Sequence, residues 1–183
     1  VGKSVHAILG EGVGFVPEAR KEDGLVGGFS IAENLILDRS SDPAFARAGT
    51  LRRGAMDTFA RDRIAEYDIR TQGPQTAAGT LSGGNQQKVV IAREMSRELR
   101  LLVVAQPTRG ADVGSIIHKR IIETRDSGIP IIVVSTELDE VSALADRIAV
   151  MYRGTVVGIV PGDTPRDTLG LMMAGETEPE VAA

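Results

Sequence analysis

Short aliphatic runs, separated by helix-like stretches, limit the possible folds of this chain more than any other feature of its sequence. Five of them have the length and β-branched content of buried strands, at residues 13–16, 101–105, 130–135, 147–151 and 155–160. Two helical patterns lie between the later runs, one built on Val113, Ile116, Ile117 and Ile121 and the other on Leu138, Val141 and Ala145. This alternation predicts an α/β fold with a mainly parallel sheet and right-handed crossovers.

Residues 30–99 depart from that alternation, because they are mostly helical in pattern and contain the polar loop TQGPQTAAGT at 71–80. We interpret them as a helical insertion. The sequence then divides into residues 1–29, the start of a core; 30–99, a helical subdomain; 100–160, the rest of the core; and 161–183, a helix at 164–173 followed by a frayed tail.

Composition excludes several kinds of protein. The chain has 183 residues, of which 42% are hydrophobic and 25% charged, and these values are typical of a globular domain. A net charge of -4 argues against non-specific binding to nucleic acid. The chain has no cysteine, and its two histidines, His6 and His118, are too far apart in sequence to suggest a metal site. The sequence shows no leader peptide and no apolar run near 20 residues, so any tie to a membrane is expected to go through a partner.

The segment LSGGNQQKVVIARE, at residues 81–94, carries the strongest chemical signal. Ser82, Gly83 and Gly84 stand directly before a helical pattern. Glycines let the backbone approach a ligand closely, and the start of a helix directs N–H groups and partial positive charge toward it. A serine hydroxyl adds a further donor. The segment therefore predicts an anion site, best suited to phosphate.

The same segment resembles the signature motif of ABC-type ATPases, and Asn85 with the two following glutamines resembles the importer branch. With VPEAR…GLV, AQPTRG and LGLMMAG, it is similar to the second half of double-cassette ATPases that drive importers of simple sugars and nucleosides. The resemblance covers about residues 4–175. It implies the later two-thirds of one ABC (P-loop NTPase) domain, a partial domain whose P-loop segment is missing.

In that family ATP lies between the P-loop of one cassette and the signature motif of another. The resemblance therefore implies ATP and Mg²⁺ as cofactors of the full assembly, and contacts in trans from Leu81, Ser82, Gly83, Gly84, Asn85 and Gln86. It places Asp112 at the dimer seam, and Glu18 at the contact with the membrane subunit in place of the usual glutamine. The implied partners are a second cassette, transmembrane permease subunits and, indirectly, an extracytoplasmic solute-binding protein. The implied location is the cytoplasmic face of the plasma membrane.

Three positions depart from the family pattern. Ala105 and Gln106 replace an Asp-Glu pair, and Thr136 replaces a histidine that contacts the γ-phosphate. A methyl group offers no oxygen to support Mg²⁺, and an amide cannot accept a proton from water. We therefore expect a degenerate catalytic site and negligible ATPase activity from this chain alone, so its status as an enzyme stays open. For Thr136 we expect a structural role, as the cap of the helix that follows.

Gly2, Lys3 and Ser4 look like the end of a P-loop, which needs Gly-x-x-x-x-Gly-Lys-Ser/Thr between a strand and a long helix. Only Val1 precedes Gly2, and Lys3 lies ten residues before the strand predicted from Val13. We interpret the triplet as a coincidence ahead of a short helix at residues 4–9. A small P-loop kinase is the alternative, and it predicts ATP binding that depends on Lys3.

The function that the resemblance implies is energy coupling in an importer. Two other classes remain open: a soluble ABC-type ATPase in repair or translation, and a regulatory domain that binds nucleotide without hydrolysing it. We also expect self-association, because a sheet that lacks its P-loop strand leaves neighbouring strand edges without partners.

Overall fold

The computed structural model describes residues 2–108 and 114–176. Its central sheet has three strands, β1 (Val13–Val16), β4 (Leu101–Ala105) and β5 (Ile131–Val134), in the order β1-β4-β5. Strands β1 and β4 are parallel, with Val16 opposite Val104. Both of these valines are fully buried, as is Leu102. The predicted α/β fold with parallel strands is confirmed.

Helix α4 (Gly83–Met95) packs on β1 and buries the aliphatic residues of its middle turns, Val89, Val90, Ile91 and Ala92. Helix α5 (Gly114–Asp126) buries Ile117 and Ile121, as the sequence pattern predicts. Gly128, with φ of 91°, follows the end of that helix in a conformation that favours glycine. The short helix predicted near the start is α1 (Val5–Gly10).

The regular structure between β1 and β4 is mainly helical, as predicted. After a π-helical turn at Arg20–Gly24 it contains α2 (Ile31–Asn34), α3 (Arg53–Glu66), α4, and 3-10 turns at Leu37–Arg39 and Ala78–Thr80. It also contains a small antiparallel hairpin, β2 (Ala46–Arg47) with β3 (Thr50–Leu51), that the sequence reading did not predict. Two-residue strands are too short to produce a recognisable alternation of apolar and polar residues.

The chain divides into two compact units, Val1–Ile132 and Val133–Ala183. The second unit holds α6 (Leu138–Leu144), β6 (Arg147–Tyr152), β7 (Thr155–Pro161) and α7 (Arg166–Met173). Its core is formed by Ile148, Val150 and Leu169. The helix predicted at residues 164–173 is thus confirmed as α7, whereas the four sequence-based segments stay predictions.

The run at residues 147–151 does not join the parallel sheet, and that part of the prediction is wrong. It forms β6, which pairs in an antiparallel hairpin with β7. The connecting turn favours this hairpin, because Arg153 and Gly154 have positive φ values of 45° and 83° and reverse the chain within two residues. Among the described residues, no helix is both long enough and apolar enough to cross a bilayer.

Candidate nucleotide-binding surface

Residues 82–84, here called the glycine turn, form the start of α4. Ser82 is the N-cap, with extended backbone angles (φ -61°, ψ 155°), and its hydroxyl oxygen accepts a hydrogen bond from the Asn85 amide. Gly83 and Gly84 occupy the first turn, where backbone N–H groups have no carbonyl four residues back within the helix. Ser82 is exposed and both glycines are half-buried, so the turn presents its donors at the surface.

Asn85 locks this turn through its side chain. Its Nδ2 donates to Ser82 Oγ at 3.0 Å, and its Oδ1 accepts from the Arg70 amide at 2.9 Å. The backbone N–H of Asn85 also reaches Ser82 Oγ, at 3.4 Å. A backbone N–H can only donate, so the bond from Arg70 shows that Oδ1 faces Arg70. The Nδ2 end of the Asn85 side chain therefore faces Ser82.

Gln86 points into the protein, unlike the other residues predicted to contact nucleotide. Its side chain is 3% exposed, and its Nε2 donates to the carbonyls of Ala78 and Gly79 at 3.3 and 3.4 Å. Leu81, just before the turn, is half-buried. The structure thus brings residues 81–86 together at one helix start, and their contact with a nucleotide stays a prediction.

Two connections support the glycine turn from the side. The Lys88 ammonium group, whose side chain is 4% exposed, donates to Asp68 O at 2.5 Å and to Asp68 Oδ2 at 3.2 Å. In the loop before the turn, Gly79 lies so close to Gly27 that a Cβ on Gly79 would sit 2.9 Å from the Gly27 carbonyl oxygen. Its amide donates to that same oxygen at 2.9 Å.

The far end of α4 is tied to β1 by buried charges. Glu94 accepts from Arg93 Nε at 2.8 Å and from the Phe15 amide at 3.2 Å. Arg93 also donates to the Gly24 carbonyl at 2.8 Å. Arg97 pairs with Asp38 and donates to the Val13 carbonyl. These bonds hold α4, β1 and the π-helical turn together, and they satisfy charged groups that would be costly to bury alone.

A groove of about 710 Å³ opens at the carboxyl ends of β1 and β4. Because these strands are parallel, the residues that follow them meet at one edge of the sheet, which brings Glu18 and Ala105 into the same groove. Its other walls combine apolar side chains such as Phe15 and Pro17 with charged ones such as Arg20 and Lys21. Within the part of the chain that the structure describes, no three His, Cys, Asp or Glu side chains form a cluster that could hold a metal ion.

Gln106 follows β4 in a left-handed conformation, with φ of 49°, and is buried. A residue with a side chain is uncommon at such a φ, and the strain is typical of a functional or tightly constrained position. The residue expected at the dimer seam, Asp112, lies outside the described residues.

Thr136 does not cap α6, which corrects our expectation. The N-cap is Glu137, which makes no capping bond through its side chain. Instead Ser135 Oγ accepts a bond from the Glu137 amide at 3.0 Å. This local turn over residues 135–137 moves the start of the helix one residue past Thr136.

Gly2, Lys3 and Ser4 lead into the six-residue helix α1. Ser4 is its N-cap, and the exposed Lys3 ammonium pairs with Glu11. Both side chains thus have local structural partners. The interpretation that the triplet is unrelated to phosphate binding stays a prediction.

Sequence reasoning missed Arg70 and Lys88 as supports of the glycine turn. Arg70 acts through its backbone amide, which no side-chain pattern reveals. Lys88 gave a signal, because a lysine inside the buried stretch 86–94 needs a carboxylate or carbonyl partner.

Taken together, a parallel sheet, a helical region inserted between its first two strands and a glycine turn opening a buried helix define the fold of ABC-type ATP-binding cassettes. Solved structures share it. The dimeric cassette MJ0796 in a post-hydrolysis state bound to ADP and Pi matches with a TM-score of 0.67 at 21% identity, over 81% of this chain and 62% of that one. The cassette MJ1267 in its ADP conformation matches with a TM-score of 0.65 at 16% identity, over 94% and 68%.

The sequence is similar to ATP-binding proteins of import systems. It is 46% identical over 176 residues to the guanosine import ATP-binding protein NupO of Bacillus subtilis (strain 168), covering 94% of this chain and 34% of that protein. It is 46% identical over 171 residues to the nucleoside import ATP-binding protein NupA of Lactococcus lactis subsp. cremoris (strain MG1363), covering 92% and 34%. The ribose import ATP-binding protein RbsA of Lacticaseibacillus paracasei is 36% identical over 174 residues, covering 93% and 34%.

This chain thus spans about a third of the length of the curated relatives it matches. No family model matches it.

Proposed function

We propose that this chain is part of the ATP-binding, energy-coupling protein of an ABC importer for nucleosides or simple sugars. Its glycine turn binds the triphosphate of an ATP, with Mg²⁺, that a second cassette holds. One observation carries this proposal: Ser82, Gly83 and Gly84 offer donors at the surface, at the start of a helix whose remaining turns are buried. The import functions printed in the names of the relatives support the choice of transport.

This chain's own nucleotide site does not hydrolyse ATP. Ala105 lies in the groove at the carboxyl ends of the strands, where a carboxylate would be needed to support Mg²⁺. Gln106 next to it offers an amide, which cannot act as a general base, and losing a general base costs about 10²–10⁴ in rate. Thr136 takes the position of the histidine that would contact the γ-phosphate. Asp112 is the residue that we propose at the dimer seam.

Energy coupling runs through permease subunits at the cytoplasmic face of the membrane, with an extracytoplasmic solute-binding protein delivering the solute. Glu18, in the same groove as Ala105, is the contact we propose for the permease. A soluble ABC-type ATPase is the competing class, and copurification with hydrophobic subunits separates the two.

A pair of matched glycines tests the proposal. Gly84 is the second residue of α4, and Gly54 is the second residue of α3, where it is exposed and no atom lies within 4 Å of an added Cβ. An aspartate in the first turn of a helix interacts favourably with the positive end of the helix dipole. Both Gly84→Asp and Gly54→Asp are therefore expected to fold. Only the first places a negative charge against the phosphates.

The measurement is association between this chain and a cassette with an intact P-loop, monitored by analytical ultracentrifugation as ATP is added. The quantity compared is the ATP concentration that gives half-maximal association. We expect Gly84→Asp to raise it at least about tenfold, the scale of one lost charge-assisted hydrogen bond, and Gly54→Asp to leave it unchanged. Equal behaviour of the two folded variants would show that the glycine turn binds no phosphate.

A further inference from the structure

The Ser82 hydroxyl has a fixed hydrogen-bonding polarity. A hydroxyl group has one hydrogen to donate and two lone pairs that accept. Ser82 Oγ accepts from the Asn85 amide at 3.4 Å and from Asn85 Nδ2 at 3.0 Å, so one residue occupies both lone pairs. The hydroxyl hydrogen is then the part of Ser82 that remains for a ligand, and it lies on an exposed side chain.

Asn85 cannot reverse its own amide without losing another bond. Its Oδ1 accepts from the Arg70 amide at 2.9 Å, and a backbone N–H has no capacity to accept. Turning the side chain over would place Nδ2 against that N–H, donor against donor. The Arg70 amide thus fixes Asn85, and Asn85 in turn fixes Ser82.

We propose that Asn85 is a positioning residue, which acts by making Ser82 a hydrogen-bond donor toward a phosphate oxygen. This inference rests on the proposed function, and it gives Asn85 a different task from a direct contact with nucleotide. Each polar end of its side chain makes one hydrogen bond inside the turn, Nδ2 to Ser82 and Oδ1 from Arg70. In this proposal its contribution to ATP binding passes through the Ser82 hydroxyl.

The near-isosteric change Asn85→Asp separates this role from a merely structural one. The introduced carboxylate keeps the bond from the Arg70 amide but replaces the Nδ2 donor by an acceptor. The Ser82 hydroxyl then donates to the carboxylate and turns away from the phosphate. When the carboxyl is protonated at low pH, it donates to Ser82 Oγ as Nδ2 does, and the original polarity returns.

The comparison variant is Asn85→Ala, which removes both side-chain bonds and leaves the hydroxyl free to rotate. For each variant we compare the ATP concentration that half-saturates its association with the P-loop cassette. Each value is taken relative to that of the unchanged chain at the same pH, at several pH values from 4.5 to 8. The Lys88–Asp68 pair and Arg70, the charged groups around this turn, are the same in all three proteins. Thermal unfolding confirms that each variant is folded.

We expect Asn85→Asp to bind about 10–100-fold more weakly at pH 8 and Asn85→Ala about 3–10-fold more weakly. The deficit of Asn85→Asp is expected to shrink toward pH 4.5, while that of Asn85→Ala stays constant. The aspartate's charge near the phosphates would by itself produce the same order and the same pH trend, so both changes are repeated together with Ser82→Ala. A role through Ser82 predicts that most of the pH-dependent difference between Asn85→Asp and Asn85→Ala then disappears, whereas charge repulsion alone predicts that it stays the same.

The two proposals fail in different ways. If Gly84→Asp weakens binding but Asn85→Asp is no worse than Asn85→Ala at any pH, the role of Asn85 is overturned and the proposed function stands. If Gly84→Asp has no effect, the proposed function itself is overturned.

Discussion

At the scale of single residues, Tyr67 shows how burial and charge combine near the loop that supports α4. The side chain is 4% exposed, and the Arg120 guanidinium lies 4.8 Å from the centre of its ring. Burial, reinforced by the Glu66 carboxylate, raises the pKa of Tyr67 to about 12, and Arg120 opposes that rise only in part. The folded protein therefore keeps this phenol protonated where the unfolded chain has released its proton.

Stability is consequently expected to fall between about pH 10 and 12. The pKa is raised on folding, so the stabilisation is complete below the unfolded value near 10 and is lost as the pH rises toward the folded value. Urea unfolding should show a loss of about 2 kcal/mol over this range. Tyr67→Phe should abolish that component, whereas the other tyrosine, changed as Tyr152→Phe, should retain it. The same decline in both variants would refute the assignment to Tyr67.

At the scale of elements, the contact between Gly79 and Gly27 controls how the loop before the glycine turn lies against the start of α2. Gly79→Ala should destabilise the fold by about 1–3 kcal/mol, because its Cβ would sit 2.9 Å from the Gly27 carbonyl oxygen. Gly28→Ala, where no atom lies within 4 Å of the added carbon, is the matched control and should change stability little. Denaturant titration of both variants provides the measurement, and equal midpoints would contradict the close contact.

The elements that the sequence predicted well are those with long apolar patterns. Ile117 and Ile121 lie at helical spacing and are buried in α5, and LLVVA forms the central strand β4. The failures concern pairing and caps. Nothing in the run RIAVM tells whether this strand pairs within the parallel sheet or across a hairpin. Three consecutive polar residues, Ser135, Thr136 and Glu137, are each possible N-caps of α6, and the sequence does not select among them.

The site was predictable to a similar degree. The motif located the helix start and its donors, since serine and glycine at an N-terminus have a local physical meaning. It could not show that Gln86 points inward, because that depends on the carbonyls of Ala78 and Gly79 in the preceding loop. Nor could it show that the Arg70 amide orients Asn85, because Arg70 lies 15 residues away in sequence.

At the scale of the whole molecule, one face of the three-stranded sheet carries exposed apolar side chains. Phe15 on β1 is 50% exposed and Ile132 on β5 is 51% exposed, whereas Val16, Leu102 and Val104 on the other face are fully buried. Exposed apolar surface on a sheet with open edges favours association.

We therefore expect the chain to self-associate as its concentration rises. Light scattering should show a growing mean mass, and the double change Phe15→Thr with Ile132→Thr should lower it. Val5→Thr, which removes a 74% exposed apolar residue from α1, is the control and should have little effect. A strictly monomeric species at high concentration would contradict this expectation.

The buried charges at the end of α4 give that helix the properties of a lever. Glu94, and Arg97 just beyond the helix, bind this end to β1, while the exposed Ser82 lies at the other end, about 20 Å away for 13 residues. A tilt of about 5° at the anchored end would carry the Ser82 hydroxyl about 2 Å, enough to make or break a hydrogen bond. A displacement of β1 at Phe15 would in this way be larger at the Ser82 end of the helix than at the Glu94 end.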